Sequence, residues 1–324
     1  MQQDWQPAAS IELLRQRARL LADIRTFFTR RGVMEVETPV CSAAAVTDPA
    51  LESMVTRFTG PGGAAGVPLY LHTSPEFAMK RLLAAGSGAI YQICHVFRDG
   101  EAGRLHNPEF SLLEWYRPGY DHHRLMDELV DLVRTVVPRP LAVNRFSYME
   151  LFQHYLGLNP WTASLEQLRR CAIEHRIAGA LHLDMHEIDG WLDLLLCQAI
   201  EPQLGAGIVL VYDYPPSQAS LARIREQETP VAERFELYLD GVELANGFHE
   251  LTDAAEQRSR FELDLEKRQA SGQIQVPIDE RFLAALEAGL PACAGVALGI
   301  DRLLIRVTDC THIDQVLAFP LSRS

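Results

Sequence analysis

Asp240-Gly241 is the strongest turn signal in this chain, and it dictates an antiparallel ribbon. Two alternating runs flank it, Glu233 to Leu239 and Val242 to Leu251, the pattern of a two-residue hairpin whose central residues take positive φ. Such a turn pairs Tyr238 with Glu243 and Glu236 with Ala245. Glu236 and Glu243 then share a face as diagonal neighbours, roughly 7–8 Å apart at the backbone, able to converge on one cation or to stand as two solvated carboxylates. A second strand pair reads from Ala89 to Arg98 and from Glu109 to Tyr116, around a polar, turn-rich loop. Phe110, Leu112, Glu114 and Tyr116 lie on one face of it by the two-residue period. Antiparallel pairs dominate, so the fold class is α+β.

Helices surround these strands. Ser10 caps a run in which Ile11, Leu14, Ala18, Leu21, Ile24 and Phe28 recur every three or four residues, and Gly32 ends it. An extended stretch from Val33 to Glu37 stops at Pro39. In TSPEF (Thr73 to Phe77), Ser74 is placed to cap, Pro75 to take the first helical position and Glu76 the first turn, with Gly86 closing the helix. From about Pro138 to Arg225 the pattern is mostly helical and carries no motif. It reads as an insertion in a single domain spanning residues 1–324. The last segment is a strand into Gly299, then a helix with Ile300, Leu303, Leu304 and Val307 inward.

With 48% hydrophobic and 23% charged residues, the chain has ordinary globular composition. A formal net charge of -13 weighs against a surface built to neutralise many phosphates. The basic residues are nearly all arginine. Lys80 and Lys267 are the only lysines, which reads as a coding bias. Six scattered cysteines without a CxxC pair read as free thiols in a reducing cytosol. Met1 to Pro7 includes Asp4 and no apolar run, so no secretory signal is expected. Ala288 to Ile300 is too short to span a bilayer. These features point to a cytoplasmic protein with no membrane association.

Three segments carry chemistry: VFRDGEAGRLHNPEFSLLEWY from Val96 to Tyr116, ELANGFHEL from Glu243 to Leu251, and GVALGIDR from Gly295 to Arg302. In that order they resemble the catalytic motifs of class II aminoacyl-tRNA synthetases, and segment for segment those of lysyl-tRNA synthetases. The resemblance implies a class II catalytic domain that uses ATP and Mg²⁺ to turn a carboxylic acid into its adenylate. The acid's oxygen attacks the α-phosphorus and pyrophosphate leaves. The protein must then hold two anions together and neutralise charge building on phosphate oxygens. By resemblance Arg98 and Arg302 are catalytic. Arg98 grips the α-phosphate and the attacking carboxylate; Arg302 meets the γ-phosphate from the first turn of the last helix, where freed N–H groups favour anions. His106 and Asn107 serve the nucleotide, Phe110 stacks on adenine, and Glu243, Leu244 and Gly299 complete the ATP set. Glu236 and Glu243 match the acidic pair that holds Mg²⁺.

For the acyl substrate, Ser74, Glu76, Glu114, Tyr116, Asn246, Phe248 and Glu250 match positions that surround lysine in that synthetase. Buried ammonium groups need paired carboxylates, so the acidic set argues for a diamino acid. Ala297 stands where lysyl-tRNA synthetases have glycine in the pocket-lining strand. The first catalytic element is also under way by Ser10, where a full synthetase would still be building its RNA-binding barrel. Together these traits resemble the elongation factor P–(R)-β-lysine ligase family, which activates β-lysine and transfers it to a lysine side chain of elongation factor P rather than to tRNA. The WQP, VETP and HELTDA stretches extend that resemblance over the whole chain. It also implies a homodimer built on the helix from Ser10 to Arg31 and the strand after it. Gly100 departs from the pattern, because synthetases usually place a nucleotide-binding glutamate there; either Glu101 substitutes or that contact is missing.

Two other readings stay open at this point. One is a catalytically silent paralogue, against which the retained Arg98, Glu236, Glu243 and Arg302 argue. The other is an amide-forming enzyme with a small-molecule acceptor. A parity argument adds one structural expectation. Glu243 must face the nucleotide while Asn246, Phe248 and Glu250 face the acyl substrate in the same cleft, yet odd separations in a regular strand put them on opposite sides. A β-bulge between Leu244 and Gly247 would correct this.

Overall fold

A computed structural model describes residues 5–61, 66–308 and 310–324; Met1 to Asp4, part of the stretch read for a targeting signal, lie outside it. The elements run α1 (Ile11–Arg30), β1 (Met34–Glu35), β2 (Cys41–Ser42), β3 (Val55–Phe58), β4 (Val67–Leu71), α2 (Glu76–Ala84), β5 (Ile90–Phe97), β6 (Glu109–Pro118) and α3 (His122–Val136). Then come β7 (Val143–Ser147), α4 (Tyr148–Leu156), α5 (Leu165–Glu174), α6 (Ile188–Leu195), β8 (Ile208–Tyr214), β9 (Ile224–Arg225), β10 (Val231–Leu239) and β11 (Val242–His249). The chain closes with α7 (Ala254–Ala270), α8 (Glu280–Gly289), β12 (Cys293–Gly299) and α9 (Ile300–Val307).

The large sheet is ordered β1-β5-β6-β12-β11-β10-β8-β7, with β9 on the flank of β10. β1–β5 and β7–β8 are parallel and the other ladders antiparallel, which makes the fold α+β. Alternation sorts the side chains into two faces. Leu113, Trp115, Phe235, Leu237, Val296 and Leu298 point to one side, where they pack with Phe28 of α1, Leu129 of α3 and Leu303 of α9 in the main core. The opposite face is covered at one end by α2, α7 and α8 through Met79, Phe261 and Phe282. At its other end α4 to α6 pack on Val209, Val211 and Tyr238. Between these two covers the sheet is open, and a cavity lies there.

Ser10 caps α1 as expected, its hydroxyl accepting from the Leu13 N–H at 3.2 Å. At α2 the cap is displaced by one. Pro75, not Ser74, precedes the first helical residue, because the Ser74 hydroxyl is shared between the Glu76 N–H at 2.9 Å and the Glu114 carboxylate at 2.7 Å. The stretch from 138 to 225 is mostly helical, yet it also contains β7, β8 and β9, and the first two extend the main sheet. Ile208 to Val211 is a continuous buried apolar run, which periodicity cannot tell from a buried helical turn.

The hairpin turn takes positive φ at both Asp240 (50°) and Gly241 (71°). Tyr238 pairs with Glu243, but Glu236 faces Asn246 rather than Ala245, because the register slips by one residue at Leu244. Leu244 is therefore the bulged residue, at the near end of the expected window. Leu244 and Ala245, consecutive in sequence, both enter the main core, and Glu243 turns to the open face with Asn246, Phe248 and Glu250.

Candidate active site

One cavity of about 1110 Å³ occupies the open face and is lined by Arg98, Glu114, Tyr116, Glu236, Glu243, Asn246, Phe248, Glu250 and Ala297, together with Ser74 and Glu76 from the start of α2. The acyl set and the carboxylate pair thus meet in one space. The remaining nucleotide candidates sit beside it. Arg302 follows the Gly299 cap of α9 and donates to the Glu243 carbonyl at 3.0 Å, to its carboxylate at 3.2 Å and to His106 Nε2 at 2.6 Å. His106 must accept that bond, so its ring is neutral there; burial and then Arg302 hold it below the ordinary imidazole range. The Arg98 guanidinium lies 5.0 Å from the Phe110 ring centre.

Several candidates are held in ways that limit their part. Both ends of the Asn107 amide are taken by backbone, its nitrogen donating to the Glu109 carbonyl at 2.6 Å and its oxygen accepting from the Leu321 N–H at 3.1 Å. Leu244 presents its side chain to the core, leaving only its backbone for a nucleotide. At Gly100 φ is +76°, and this tight turn brings Glu101 back to within 3.7 Å of Arg98. Arg302 is positioned from behind. The buried Asp301 carboxylate accepts from Arg17 of α1 at 2.5 Å and from the Ser111 N–H at 2.7 Å, while Arg17 also donates to the Ser111 hydroxyl at 2.6 Å. That three-way tie sets the start of α9 against β6.

The acyl end is dry and charged. Glu114 and Glu250 are each 2% exposed and Lys80 is 1% exposed. Lys80 Nζ lies 2.5 Å from Glu76 and 2.6 Å from Glu250. Burial opposes its charge, but those two carboxylates outweigh burial and hold the ammonium well above its usual range. Glu250 is also pushed up, to about 8, by burial against the pull of Lys80. A 2.6 Å contact makes this pair ionic, so the uncompensated negative charge falls on Glu114. Glu114 has only neutral donors, Tyr116 at 2.6 Å and Ser74 at 2.7 Å, and burial with Glu76 nearby raises its carboxyl to about 7. Three carboxyls face one ammonium. Asn246 Oδ1 and Glu250 Oε1 are buried acceptors with no hydrogen-bond donor among the described residues. This donor-poor pocket fits a ligand that brings ammonium groups.

The nucleotide end is acidic for a different reason. Glu236 is held by Arg234 at 2.6 Å and by the Tyr238 hydroxyl at 2.5 Å. Burial and the adjacent Glu236 push the Glu243 carboxyl up, and burial raises Glu201 to about 7 with both acids adding to it. Hard oxygen donors that repel one another at the edge of a phosphate site fit Mg²⁺.

Lys80, Asp193 and Glu201 were not among the residues that motif reading selects. Lys80 had a signal, since it stands four residues after Glu76 on a helix in a chain with only two lysines. Asp193 and Glu201 lie in the motif-free helical stretch, separated by a π-helical turn from Leu196 to Ile200, a feature that often marks functional sites and has no sequence signature.

The family described as tRNA synthetases class II (D, K and N) matches residues 4–323. The chain belongs to that family. It is 53% identical over 324 residues to an elongation factor P–(R)-β-lysine ligase of Pseudoalteromonas translucida, covering 99% of this chain and 98% of the relative. A ligase of the same description from Vibrio vulnificus is 51% identical over 321 residues, with 99% of both chains covered. One from Proteus mirabilis is 51% identical over 322 residues, covering 99% and 98%. For a class II synthetase-like ligase, ATP use follows from family membership. Among the described residues no helix is long and apolar enough to cross a membrane.

Ionised Glu114 is the form that can pair with an ammonium. With a midpoint near 7, its ionised fraction rises roughly tenfold from pH 6 to pH 8, so the KM for the acyl substrate falls by up to about that factor. Steady-state pyrophosphate exchange at several pH values measures this, and Glu114→Gln should raise KM and flatten the profile. A KM for the acyl substrate that does not change with pH in the unaltered protein would remove Glu114 as the titrating group.

Proposed function

We propose that this chain is an ATP-dependent ligase that activates (R)-β-lysine as its adenylate and transfers it to a lysine side chain of elongation factor P. The observation that carries this reading is the single cavity in which a dry pocket of three carboxyls and one ammonium adjoins an arginine- and carboxylate-lined nucleotide end. The ligase names of the relatives agree with it. Neither a silent paralogue nor a small-molecule acceptor is favoured, since a protein kept only for its fold needs neither buried unpaired acceptors nor Arg302 beside Glu243.

In the first step the substrate carboxylate oxygen bonds to the α-phosphorus as the bond to the pyrophosphate oxygen breaks. Arg98 holds both reacting anions at the join of the two subsites, and Arg302 takes the γ-phosphate. Glu76, Glu114 and Glu250 fix the ammonium groups, which orients the carboxylate toward Arg98. Glu236 and Glu243 would hold Mg²⁺, which supplies charge neutralisation on the phosphates. In the second step the acceptor amine bonds to the acyl carbon, AMP leaves, and the nitrogen loses a proton. Glu101 takes the place of the glutamate missing at Gly100, and the stretch from 138 to 225 walls the nucleotide end through Asp193 and Glu201.

A protein acceptor in place of tRNA suits a net charge of -13. Modifying a translation factor places the enzyme in the cytoplasm, and α1 with the chain after it forms the interface of a homodimer.

The deciding experiment incubates the protein with ATP, Mg²⁺, (R)-β-lysine and unmodified elongation factor P and reads intact mass; one added β-lysyl group is expected, and an unchanged mass would reject the reading. In ATP–pyrophosphate exchange, Arg302→Ala should cost on the order of 10²-fold or more. Near-normal exchange would take Arg302 off the catalytic list. Ala297→Gly should move the kcat/KM ratio toward α-lysine by about 1–3 kcal/mol at most, the worth of one methyl group; a constant ratio places discrimination elsewhere. Light scattering at micromolar concentration should return twice the chain mass, and a monomer would count against the α1 interface.

A further inference from the structure

Gln257, in the first turns of α7, is 1% exposed and lines the cavity, yet neither its amide nitrogen nor its amide oxygen finds a hydrogen-bond partner among the described residues. Buried amides in folded proteins are almost always paired, and leaving one unpaired costs on the order of 1–3 kcal/mol. A residue with no task would be replaced by an apolar one of similar size at no loss.

Its place in the fold says what it meets. Phe261, one turn further along α7, packs against Phe77 with ring centres 5.6 Å apart, and Phe77 follows Glu76 at the start of α2. Phe77 in turn stacks on Phe282 at 4.6 Å, and Lys80 Nζ lies 5.7 Å from that same ring. The face of α7 that carries Gln257 is thus turned toward the Glu76–Lys80–Glu250 group. Glu250 Oε1 in that group also lacks a hydrogen-bond donor. Lys80 is already committed to two carboxylates and supplies none to Gln257.

We propose that Gln257 is a substrate-binding residue whose amide oxygen accepts a hydrogen bond from an ammonium group of the acyl substrate. This rests on the reading of the substrate as a diamino acid. An amide suits the position better than a fourth carboxylate would. It offers an acceptor without adding negative charge to a pocket where one carboxyl already lacks a cation, and its N–H groups are free to meet a carboxylate oxygen across the cavity.

The test compares the unaltered protein with Gln257→Met and Gln257→Glu in ATP–pyrophosphate exchange, and measures thermal unfolding without substrate. Gln257→Met should raise the KM for β-lysine tenfold or more, leave the KM for ATP within twofold, and hold or raise Tm, because it removes an unpaired buried amide. Gln257→Glu keeps the acceptor and should recover most of the affinity. A KM for β-lysine within twofold of the unaltered protein in Gln257→Met overturns the proposal. So does a lower Tm with that KM unchanged, the result for an amide paired through a structural water. If Gln257→Met does not fold, Gln257→Glu decides: a KM within about threefold of the unaltered protein supports the acceptor role, and a larger loss overturns it. Absence of exchange in the unaltered protein would instead defeat the functional reading on which this rests.

Discussion

One extra residue in β11 decides whether this protein has a site at all. Without the bulge at Leu244, a regular strand would direct Glu243 into the core when Asn246, Phe248 and Glu250 face the cavity, or the reverse. Burying an unpaired carboxylate among Phe28, Leu237 and Leu303 would be prohibitive. The bulge sends two apolar neighbours, Leu244 and Ala245, to the same side, so Glu243 reaches the cavity without a polar residue entering the core. Its partner strand stays regular, which keeps Arg234, Glu236 and Tyr238 on the open face. The nucleotide and acyl ends therefore share one floor, and the reacting anions meet over it.

The acyl end then has a charge problem that its own residues solve only in part. Three carboxyls in a water-poor pocket cannot all ionise, and Lys80 compensates those of Glu76 and Glu250. Glu114 is left with hydroxyl donors alone. A pocket in this state is incomplete in the way a specific binding site should be. Neutral-side-chain amino acids leave acceptors unpaired, and that penalty discriminates more strongly than added attraction would. Removing Lys80 would be more damaging than removing a surface lysine, because it would strand two buried anions rather than one solvated pair.

Much of this was legible in the sequence, where local rules decide the outcome. The Asp240-Gly241 turn, the Ser10 cap and the alternation in β6 each rest on a few adjacent residues, and the structure has all three. The bulge was legible by parity, since function demanded a common face that strand geometry forbade. The partner of Glu236 was misplaced because a slip three residues beyond the turn is not encoded in the turn. β7 and β8 were lost inside a helical stretch because a strand buried on both sides has no alternation to read. Lys80 was visible but passed over as composition. Its meaning depends on Glu250, 170 residues away, and only folding brings them together. Gln257 gave no signal, for an unpaired amide is a property of surroundings.

The small residues of β12 complete the argument. Gly295, Ala297 and Gly299 lie on the face toward the cavity and pair across to Tyr116, Glu114 and Leu112 of β6. A side chain at Gly295 would come within 2.2 Å of the Tyr116 ring and 2.5 Å of the Glu250 carboxylate, so glycine there lets those two groups close over the strand. Ala297 stands between Glu114 on one neighbour and Asn246 on the other, and its methyl group is the one side-chain atom this ladder places on the pocket floor. Raising the floor there, and nowhere else along β12, shifts the bound backbone of a substrate relative to carboxylates that do not move. The position of an amino group along a carbon chain is what such an arrangement can read.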